Sequence, residues 1–203
     1  MKDFAARFSA PLEITRPRGG RLIEAFSPKL KRRLQLFDHR AFAQWVRLET
    51  DPAVIGYCER PTRLGPPPGD CLVDFWVTGQ DEEALLLLAS TQAEQAPAAF
   101  DGVAIRVVSA AELAAASQWV SNWTRMLPVI IAAQSLFSKT LLRSITQVVR
   151  EPLPLARVQH ELSMGDPSLV RGAIFELLRI GRLGAPSLHV VPLTLHTVLE
   201  PVS

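Results

Sequence analysis

Apolar positions at helical spacing come first along the chain, and extended apolar runs follow them. A helix is predicted over 34–50 from one such face, made of Phe42, Trp45 and Val46 with the acidic Glu49 at its end. Asp38 is expected to cap this helix, and the proline of Asp51-Pro52 to end it. Strands are predicted from the apolar runs at 54–58, 72–77, 84–89 and 103–108, ahead of a helix opened by Ser109. This order predicts an α/β fold with a mixed sheet.

From about residue 122 the pattern is helical. Helices are predicted over 123–137, 138–149, 155–162 and 168–180, with Gly181 as the left-handed cap of the last one. A short apolar strand is predicted at 188–192. Helix, turn, helix and strand is the layout of a winged-helix-like module. Three parts are therefore predicted: an N-terminal arm at 1–25, a core at 26–121 and a helical, winged-helix-like C-terminal domain at 122–203.

The composition is that of an ordinary folded protein, with 48% hydrophobic and 21% charged residues. The sequence contains no apolar run of membrane-spanning length and no signal-peptide pattern, so we expect a cytoplasmic protein without a membrane partner. Cys58 and Cys71 form no CxxC motif and are expected to be reduced thiols. The four histidines lack zinc-ligand spacing, so no metal site is predicted from them.

Positive charge is concentrated at the N-terminus. Residues 1–33 carry nine Lys or Arg against three Asp or Glu, a net charge of +6, whereas the whole chain carries only +2. Such an arm suits contact with a nucleic-acid backbone, and a solvated terminus explains the charge equally well. The candidate phosphate contacts in its last part are Lys29, Lys31, Arg32 and Arg33.

An ordered set of short motifs carries a family resemblance. F-S-P-K stands at 26–29, L-E-T-D-P-A-V-I at 48–55, Y-C-E-R-P at 57–61 and V-D-F-W-V at 73–77. Together with the strand-to-helix junction at 107–113 and the helix at 169–183, this set resembles the TnsA family, the endonuclease subunit of heteromeric transposases. The resemblance implies a restriction-endonuclease-like core and a Mg²⁺-dependent nick at transposon 5′ ends. It also implies transposon-end DNA, an integrase-type transposase and an AAA+ ATPase regulator as partners.

Only part of the family's active site carries over. The family's chemistry needs a glutamate on the first helix, an aspartate at the start of a central strand, and a Glu or Gln two residues before a strand lysine. Asp74 matches the aspartate, but Ala41 stands at the glutamate position. The strand at 84–90 has no acid, amide or lysine at its end. One carboxylate is a poor Mg²⁺ site, so a pseudo-nuclease without a cofactor is predicted, with Mg²⁺ needed only if the protein is active.

Several residues admit two interpretations. Glu49 is a possible substitute metal ligand or a structural residue, and Asp74 is a catalytic remnant or a carboxylate hydrogen-bonded to nearby backbone. Arg171 and Arg179 on the last helix are candidates for DNA binding or for contact with the regulator, and a solvated helix face explains them as well. The tryptophans are expected in the core.

Three functions follow from these patterns. The first is an inactive TnsA-like subunit that binds DNA, the transposase or the regulator within a transposition complex. The second is an active Mg²⁺-dependent endonuclease with relocated ligands such as Glu49. The third is a stand-alone DNA-binding regulator that works through the winged-helix-like domain.

Overall fold

The computed structural model describes residues 7–17, 19–65, 70–90, 93, 96–162 and 166–202. The chain forms two compact units. The first unit comprises Met1–Leu48 and Ala53–Ala114, and the second comprises Glu49–Pro52 and Ala115–Ser203. Of the predicted arm, residues 1–6 and 18 lie outside the described part of the chain.

The first unit begins with a hairpin and a helix. Strands β1 (Ile23–Ser27) and β2 (Arg32–Leu36) pair antiparallel, and helix α1 runs over His39–Thr50. The prediction that the helix starts at residue 34 is therefore wrong. Leu34 and Leu36 are buried and alternate with exposed Arg33 and Gln35, which is the two-residue period of a strand.

Asp38 caps α1 as predicted. Its Oδ1 accepts a hydrogen bond from the backbone N–H of Ala41 at 2.7 Å, and its carbonyl accepts from the N–H of Phe42. The helix therefore begins directly after Asp38, whose carboxylate satisfies one of the N–H groups that have no partner within the helix.

A five-stranded mixed sheet forms the core of this unit. In chain order its strands are β3 (Gly56–Glu59), β6 (Phe75–Thr78), β7 (Glu83–Leu88), β8 (Ala99–Phe100) and β9 (Val103–Val108), while β4 (Arg63–Leu64) and β5 (Cys71–Leu72) form a separate pair. The order across the sheet is β3-β6-β7-β9-β8, and only the β7–β9 pairing is parallel. The predicted α/β class with a mixed sheet is confirmed.

The core of this unit is built on the central strand. Leu85, Leu86, Leu87 and Leu88 of β7 are all buried, as expected for a strand that is covered on both faces. The described part of the N-terminal arm packs here as well, since the ring of Phe8 meets that of Trp76 edge-on at 5.9 Å between centroids. Cys58 and Cys71 are free thiols, and burial raises the pKa of Cys58 to about 11.

After β9 a capping box starts helix α2 (Ala110–Ala115). The Ser109 hydroxyl accepts from the N–H of Glu112, and the Glu112 carboxylate accepts from the N–H of Ser109. The second unit continues with α3 (Ser117–Ala133), α4 (Lys139–Val148), α5 (Leu155–Glu161) and α6 (Pro167–Arg179). No helix among the described residues combines the length and apolar character needed to cross a membrane.

A small sheet completes the second unit. Its strands are β10 (Leu153–Pro154), β11 (Leu183–Gly184) and β12 (Val198–Pro201), which pair antiparallel with β12 in the middle. The predicted strand at 188–192 is wrong, because a 3-10 helix occupies Pro186–His189 and an irregular loop follows it. The two prolines at 186 and 192 bracket this stretch and lack the N–H groups that a ladder needs.

Helix α6 is the buried centre of the second unit. Val170, Ala173, Ile174, Phe175 and Leu177 are all buried, and the helix packs against α3, α4 and α5. At Gly172 an added Cβ would lie 3.1 Å from a ring carbon of Phe137, so a larger residue here would have to displace that ring by a few tenths of an ångström. Helix α3 and the residues after it therefore cover one face of α6.

Gly181 ends α6 in the conformation that its sequence position predicted. Its φ is +71°, its N–H donates to the Leu178 carbonyl, and the N–H of Arg182 donates to the Leu177 carbonyl. This is a Schellman motif, and it satisfies carbonyls that have no partner within the helix. A Cβ added at Gly181 would lie 2.7 Å from the ring of Pro52.

We expect Gly181→Ala to destabilise the protein by about 2–4 kcal/mol, because the left-handed backbone and the contact with Pro52 both penalise a methyl group. Gly102→Ala is the matched control: it has φ +76° but nothing within 4 Å of an added Cβ, so it should cost only about 1–2 kcal/mol. Chemical denaturation measures both values. Equal losses would show that the Pro52 contact costs nothing.

Candidate functional site around Asp74

Asp74 sits where β6 begins and β7 ends. Its backbone N–H donates to the Leu86 carbonyl at 3.0 Å, and its carbonyl accepts from the N–H of Arg60. Because β6 and β7 are antiparallel, the start of one lies beside the end of the other. The Asp74 carboxylate faces this end, where its Oδ2 accepts a 2.6 Å hydrogen bond from the N–H of Leu88.

The first turn of α1 approaches the same place. The Arg40 guanidinium donates to the carbonyl of Ala89, directly after β7, at 2.9 Å. The charge of Asp38 raises the pKa of Asp74 and the charge of Arg40 lowers it, so both charges act on the Asp74 carboxylate. The start of the first helix, the start of β6 and the end of β7 therefore converge within the first unit. The other residues at this convergence, Ala41 on α1 and Leu88, Ala89 and Ser90 at the end of β7, carry no carboxylate, amide or ammonium side chain.

Burial dominates the electrostatics of Asp74. Loss of solvent raises the pKa of Asp74 to about 6, and the negative charge of Asp38 acts in the same direction. The hydrogen bond from Leu88 and the positive charge of Arg40 oppose this rise. The result is a carboxylate that ionises less readily than an ordinary aspartate.

The residues around Asp74 do not fit a resident Mg²⁺ ion. Such an ion needs ionised oxygen ligands, but one oxygen of Asp74 already accepts a backbone N–H and a guanidinium lies nearby. Within the described part of the chain, no three His, Cys, Asp or Glu side chains are grouped so that they could hold a metal. The interpretation of Asp74 as a carboxylate bonded to neighbouring backbone matches the observed Leu88 contact.

Glu49 belongs to the second unit and is part of a buried ion pair. Its side chain is fully buried, and its Oε1 lies 3.2 Å from a terminal nitrogen of Arg179. Arg179 also binds Glu176 through two hydrogen bonds of 2.7 Å. These contacts favour the structural interpretation of Glu49 over that of a substitute metal ligand.

The F-S-P-K motif is part of a hydrogen-bond network inside the first unit. The Lys29 ammonium donates to the carbonyls of Leu48 and Val54 at 2.8 and 2.7 Å. The Tyr57 hydroxyl donates to the Ser27 hydroxyl and accepts from the indole N–H of Trp45. Lys29 therefore ties the end of α1 to the segment before β3, and a phosphate contact would require its ammonium to leave two carbonyls.

The other basic candidates differ in their surroundings. Arg32 makes a bidentate ion pair with buried Glu59, with contacts of 2.8 and 2.5 Å, whereas Lys31 and Arg33 are exposed on the β1–β2 hairpin. On α6, Arg171 is exposed, but Arg179 is only 7% exposed and bound to two carboxylates. Arg32 and Arg179 are thus structural ion-pair residues in this structure.

Sequence reasoning missed two neighbours of Asp74. The sequence predicts only a capping role for Asp38 and no role for Arg40. Both residues lie near the first turn of α1, within three residues of Ala41, the position that the resemblance to TnsA assigns to a glutamate. That position is the sequence feature that could have indicated them. Their closeness to Asp74 could not be inferred without the pairing of β6 with β7.

The chain matches no protein-family model, and no curated protein matches its sequence.

We expect Asp74→Asn to stabilise the protein at pH 7 by about 1–3 kcal/mol, measured by denaturant unfolding. The native pKa of about 6 lies above the ordinary 3.8, so the stability of the wild type falls as the pH rises through this interval. Asparagine can still accept the Leu88 N–H but carries no charge. Asp81→Asn, at an exposed position, is the control and should show no such gain. A less stable Asp74→Asn variant at pH 7 would contradict this account.

Arg179→Met should lower the free energy of unfolding by about 3–5 kcal/mol, because it removes the cation that pairs with the buried carboxylate of Glu49. Arg171→Met, on the exposed side of the same helix, should change it by less than about 0.5 kcal/mol. Thermal and denaturant unfolding compare the two variants. Similar small effects would remove the structural role assigned to the Glu49–Arg179 pair.

Proposed function

We propose that this protein is a nuclease-fold subunit of a DNA transposition complex that does not cut DNA. Its role is to hold DNA, the partner transposase or the ATPase regulator. The observation that carries the proposal is the convergence at Asp74, where the strand aspartate, the first helix and the end of the neighbouring strand come together, an arrangement that agrees with the resemblance to TnsA. Of the four groups that this chemistry is expected to need, only the aspartate is present, because the helix glutamate, the strand Glu or Gln and the strand lysine are missing.

The architecture supports the restriction-endonuclease-like part of this proposal. One helix precedes an antiparallel β3-β6-β7 set, and a parallel neighbour, β9, follows it. In the second unit α4, α5 and α6 are combined with β10, β11 and β12, a helix-turn-helix with a small antiparallel sheet. That combination supports a winged-helix-like domain, although its strands differ from the predicted one.

The two units differ as candidates for DNA contact. Lys31 and Arg33 are exposed on the hairpin of the first unit and can approach a phosphate backbone. In the second unit α6 is largely buried, and α3 covers one of its faces. Of the two arginines on α6, Arg171 is exposed but Arg179 is buried in ion pairs, so the helix offers only one of them to DNA. The observations therefore favour backbone contact by the hairpin over a stand-alone winged-helix regulator.

A divergent nuclease is the second candidate function. Asp38 and Arg40 favour it, because they supply a second carboxylate and a cation beside Asp74. Arg40 binds the carbonyl of Ala89, close to the strand end where the family carries its lysine. If the protein is such a nuclease, oxygens of the DNA phosphate would have to serve as the remaining ligands of the metal ion.

A plasmid-nicking assay with Mg²⁺ or Mn²⁺ tests the proposal. We expect no nicking above the buffer background from the wild type, and the same result for Asp74→Ala and Asp38→Ala, because one partly buried carboxylate cannot replace the missing acids and lysine. Nicking by the wild type that is lost in Asp74→Ala would contradict the proposal that the protein does not cut DNA. Its loss in Asp38→Ala as well would favour the second candidate.

Binding of the same proteins to a fluorescent DNA duplex gives the second readout. The double variant Lys31→Ala/Arg33→Ala should bind more weakly, with a salt dependence reduced by about two counterions. Arg171→Ala/Arg182→Ala, at exposed positions of the second unit, is the matched control and should bind like the wild type. Loss of binding in Arg171→Ala/Arg182→Ala alone would favour the winged-helix regulator. A wild type that does not bind the duplex would show that DNA is not a ligand of this protein.

A further inference from the structure

A groove of about 590 Å³ lies in the second unit between the last part of α3 and the start of α6. We call it the α3–α6 groove. Most of the described residues that line it are aliphatic, among them Pro128, Val129, Ala132, Ala133, Leu136 and Leu169. Leu136 is 65% exposed, which is unusual for a side chain of its size. The groove therefore offers an apolar floor to solvent.

The two helices that form the groove are held in place by the rest of the second unit. They pack directly against each other, and the ring of Phe137 lies against Gly172 of α6. The buried Asn122 amide on α3 donates to the carbonyls of Leu188 and Val191, and its oxygen accepts from the N–H of Leu193, all at 2.8–2.9 Å. A preformed groove loses little conformational entropy when it binds a partner.

Pro128 is unfavourable for the helix that contains it. It lies inside α3, where a proline removes one hydrogen bond of the helix. Its side chain is exposed in the wall of the groove, so no contact in the core compensates for this loss. Residues that disagree with their own local structure are typical of functional surfaces.

Positive charge without negative charge distinguishes the helices beside the groove. Residues 113–150, which include α3 and α4, contain no Asp or Glu. The four cations in this stretch are exposed, and none of them forms an ion pair with another described residue. They are Arg125, Lys139, Arg143 and Arg150. The surface therefore favours an acidic partner.

Two of the exposed arginines are placed to act at the groove. Arg125 precedes Pro128 by three positions on α3, so the two share a helix face. Arg171 lines the groove, and its guanidinium has only a 3.5 Å contact with the neutral Gln159 amide. Asp166 is the one acid among the described lining residues, and its carboxylate is engaged as the cap of α6.

The lining of the groove is unsuited to nucleic acid. Binding of single strands uses aromatic rings on which bases stack, and the described lining residues include none. Backbone binding uses several cations, but Arg171 alone lines the groove and the carboxylate of Asp166 would repel a phosphate. The α3 side from Pro128 to Leu136 covers eight positions, roughly 12 Å of helix, which matches two turns of a bound helix.

We infer that the α3–α6 groove binds an acidic amphipathic helix of a partner protein. Apolar side chains spaced by three or four positions would occupy the floor, and the carboxylates beside them would meet Arg125 and Arg171. A second copy of this chain offers no such segment, since each of the helices α1 to α6 contains at most one Asp or Glu. The inference does not depend on the proposed transposition role.

Fluorescence polarisation with a labelled synthetic peptide tests the inference on the full chain. The probe has three repeats of Leu-Glu-Glu-Leu-Leu-Glu-Glu, which place leucines on one helix face, and we expect a dissociation constant on the order of 10–100 μM. About 150 mM salt suppresses long-range attraction to the other basic parts of the chain. A peptide with serine for every leucine keeps the charge and should bind at least about tenfold more weakly.

Charge reversal at either end of α6 provides a matched pair of variants. Arg171→Glu should raise the dissociation constant of the peptide at least about tenfold, because it places a carboxylate against an acidic ligand. Arg182→Glu makes the same charge change at an exposed position beyond the other end of α6 and should change it less than about twofold.

Loss of an apolar side chain provides a second pair. Leu136→Ser should weaken binding at least about threefold, because the leucine contributes apolar area to the groove. Val190→Ser is the control, since Val190 is 76% exposed in the same unit but does not line this groove. Circular dichroism establishes that each variant is folded.

Several results would overturn the inference. They are a wild type that does not bind the acidic peptide at about 1 mM, a serine peptide that binds equally well, and equal effects of Arg171→Glu and Arg182→Glu. Loss of peptide binding in Lys31→Ala/Arg33→Ala would assign the peptide to the β1–β2 hairpin instead. A dimer of the wild type that Leu136→Ser dissociates would make a second copy the occupant, and loss of duplex binding in Arg171→Glu would make it DNA.

Discussion

The hydrogen bond from the Leu88 N–H to the Asp74 carboxylate is the contact on which the functional interpretation depends. It joins the end of the central strand to the start of its neighbour. In a metal-dependent nuclease a carboxylate at this place must be ionised and open to a cation. Here it is partly buried, bonded to the backbone and shifted towards its neutral form, so it makes a structural contact within the sheet.

The motifs that suggested a nuclease family are largely structural in this chain. Ser27 and Tyr57 form hydrogen bonds with each other, Lys29 binds two carbonyls, and Glu49 pairs with Arg179. Such residues fix where a helix ends and where a strand starts. Selection for the fold alone would retain them, and chemistry at the strand ends can vary independently. A resemblance carried by these positions therefore supports an architecture more strongly than an activity.

The sequence predicted those features that depend on local chemistry. Asp38, Ser109 and Gly181 each cap a helix as their residue types and positions indicate, and the strand at 103–108 has the predicted bounds. Two errors arose where local patterns are ambiguous. The run 34–36 fits the period of a helix as well as that of a strand, and only its alternating burial identifies it as a strand. The apolar run 188–192 resembles a strand in composition, but it lies between prolines and begins in a 3-10 helix.

Features that depend on long-range packing could not be predicted. Nothing near Arg179 in the sequence reveals that a carboxylate 130 residues earlier neutralises it. Spacing on α6 likewise shows an exposed and an apolar side, but not which helices cover the apolar side. The approach of Asp38 and Arg40 to Asp74 also exists only once the sheet has formed.

Asn122 links a helix to a loop about seventy positions further along the chain, through three hydrogen bonds to main-chain atoms alone. A residue outside the loop therefore helps to determine the path of its main chain. The three hydrogen bonds involve none of the loop's side chains, so its exposed side chains can vary while the contacts that fix its main-chain path remain.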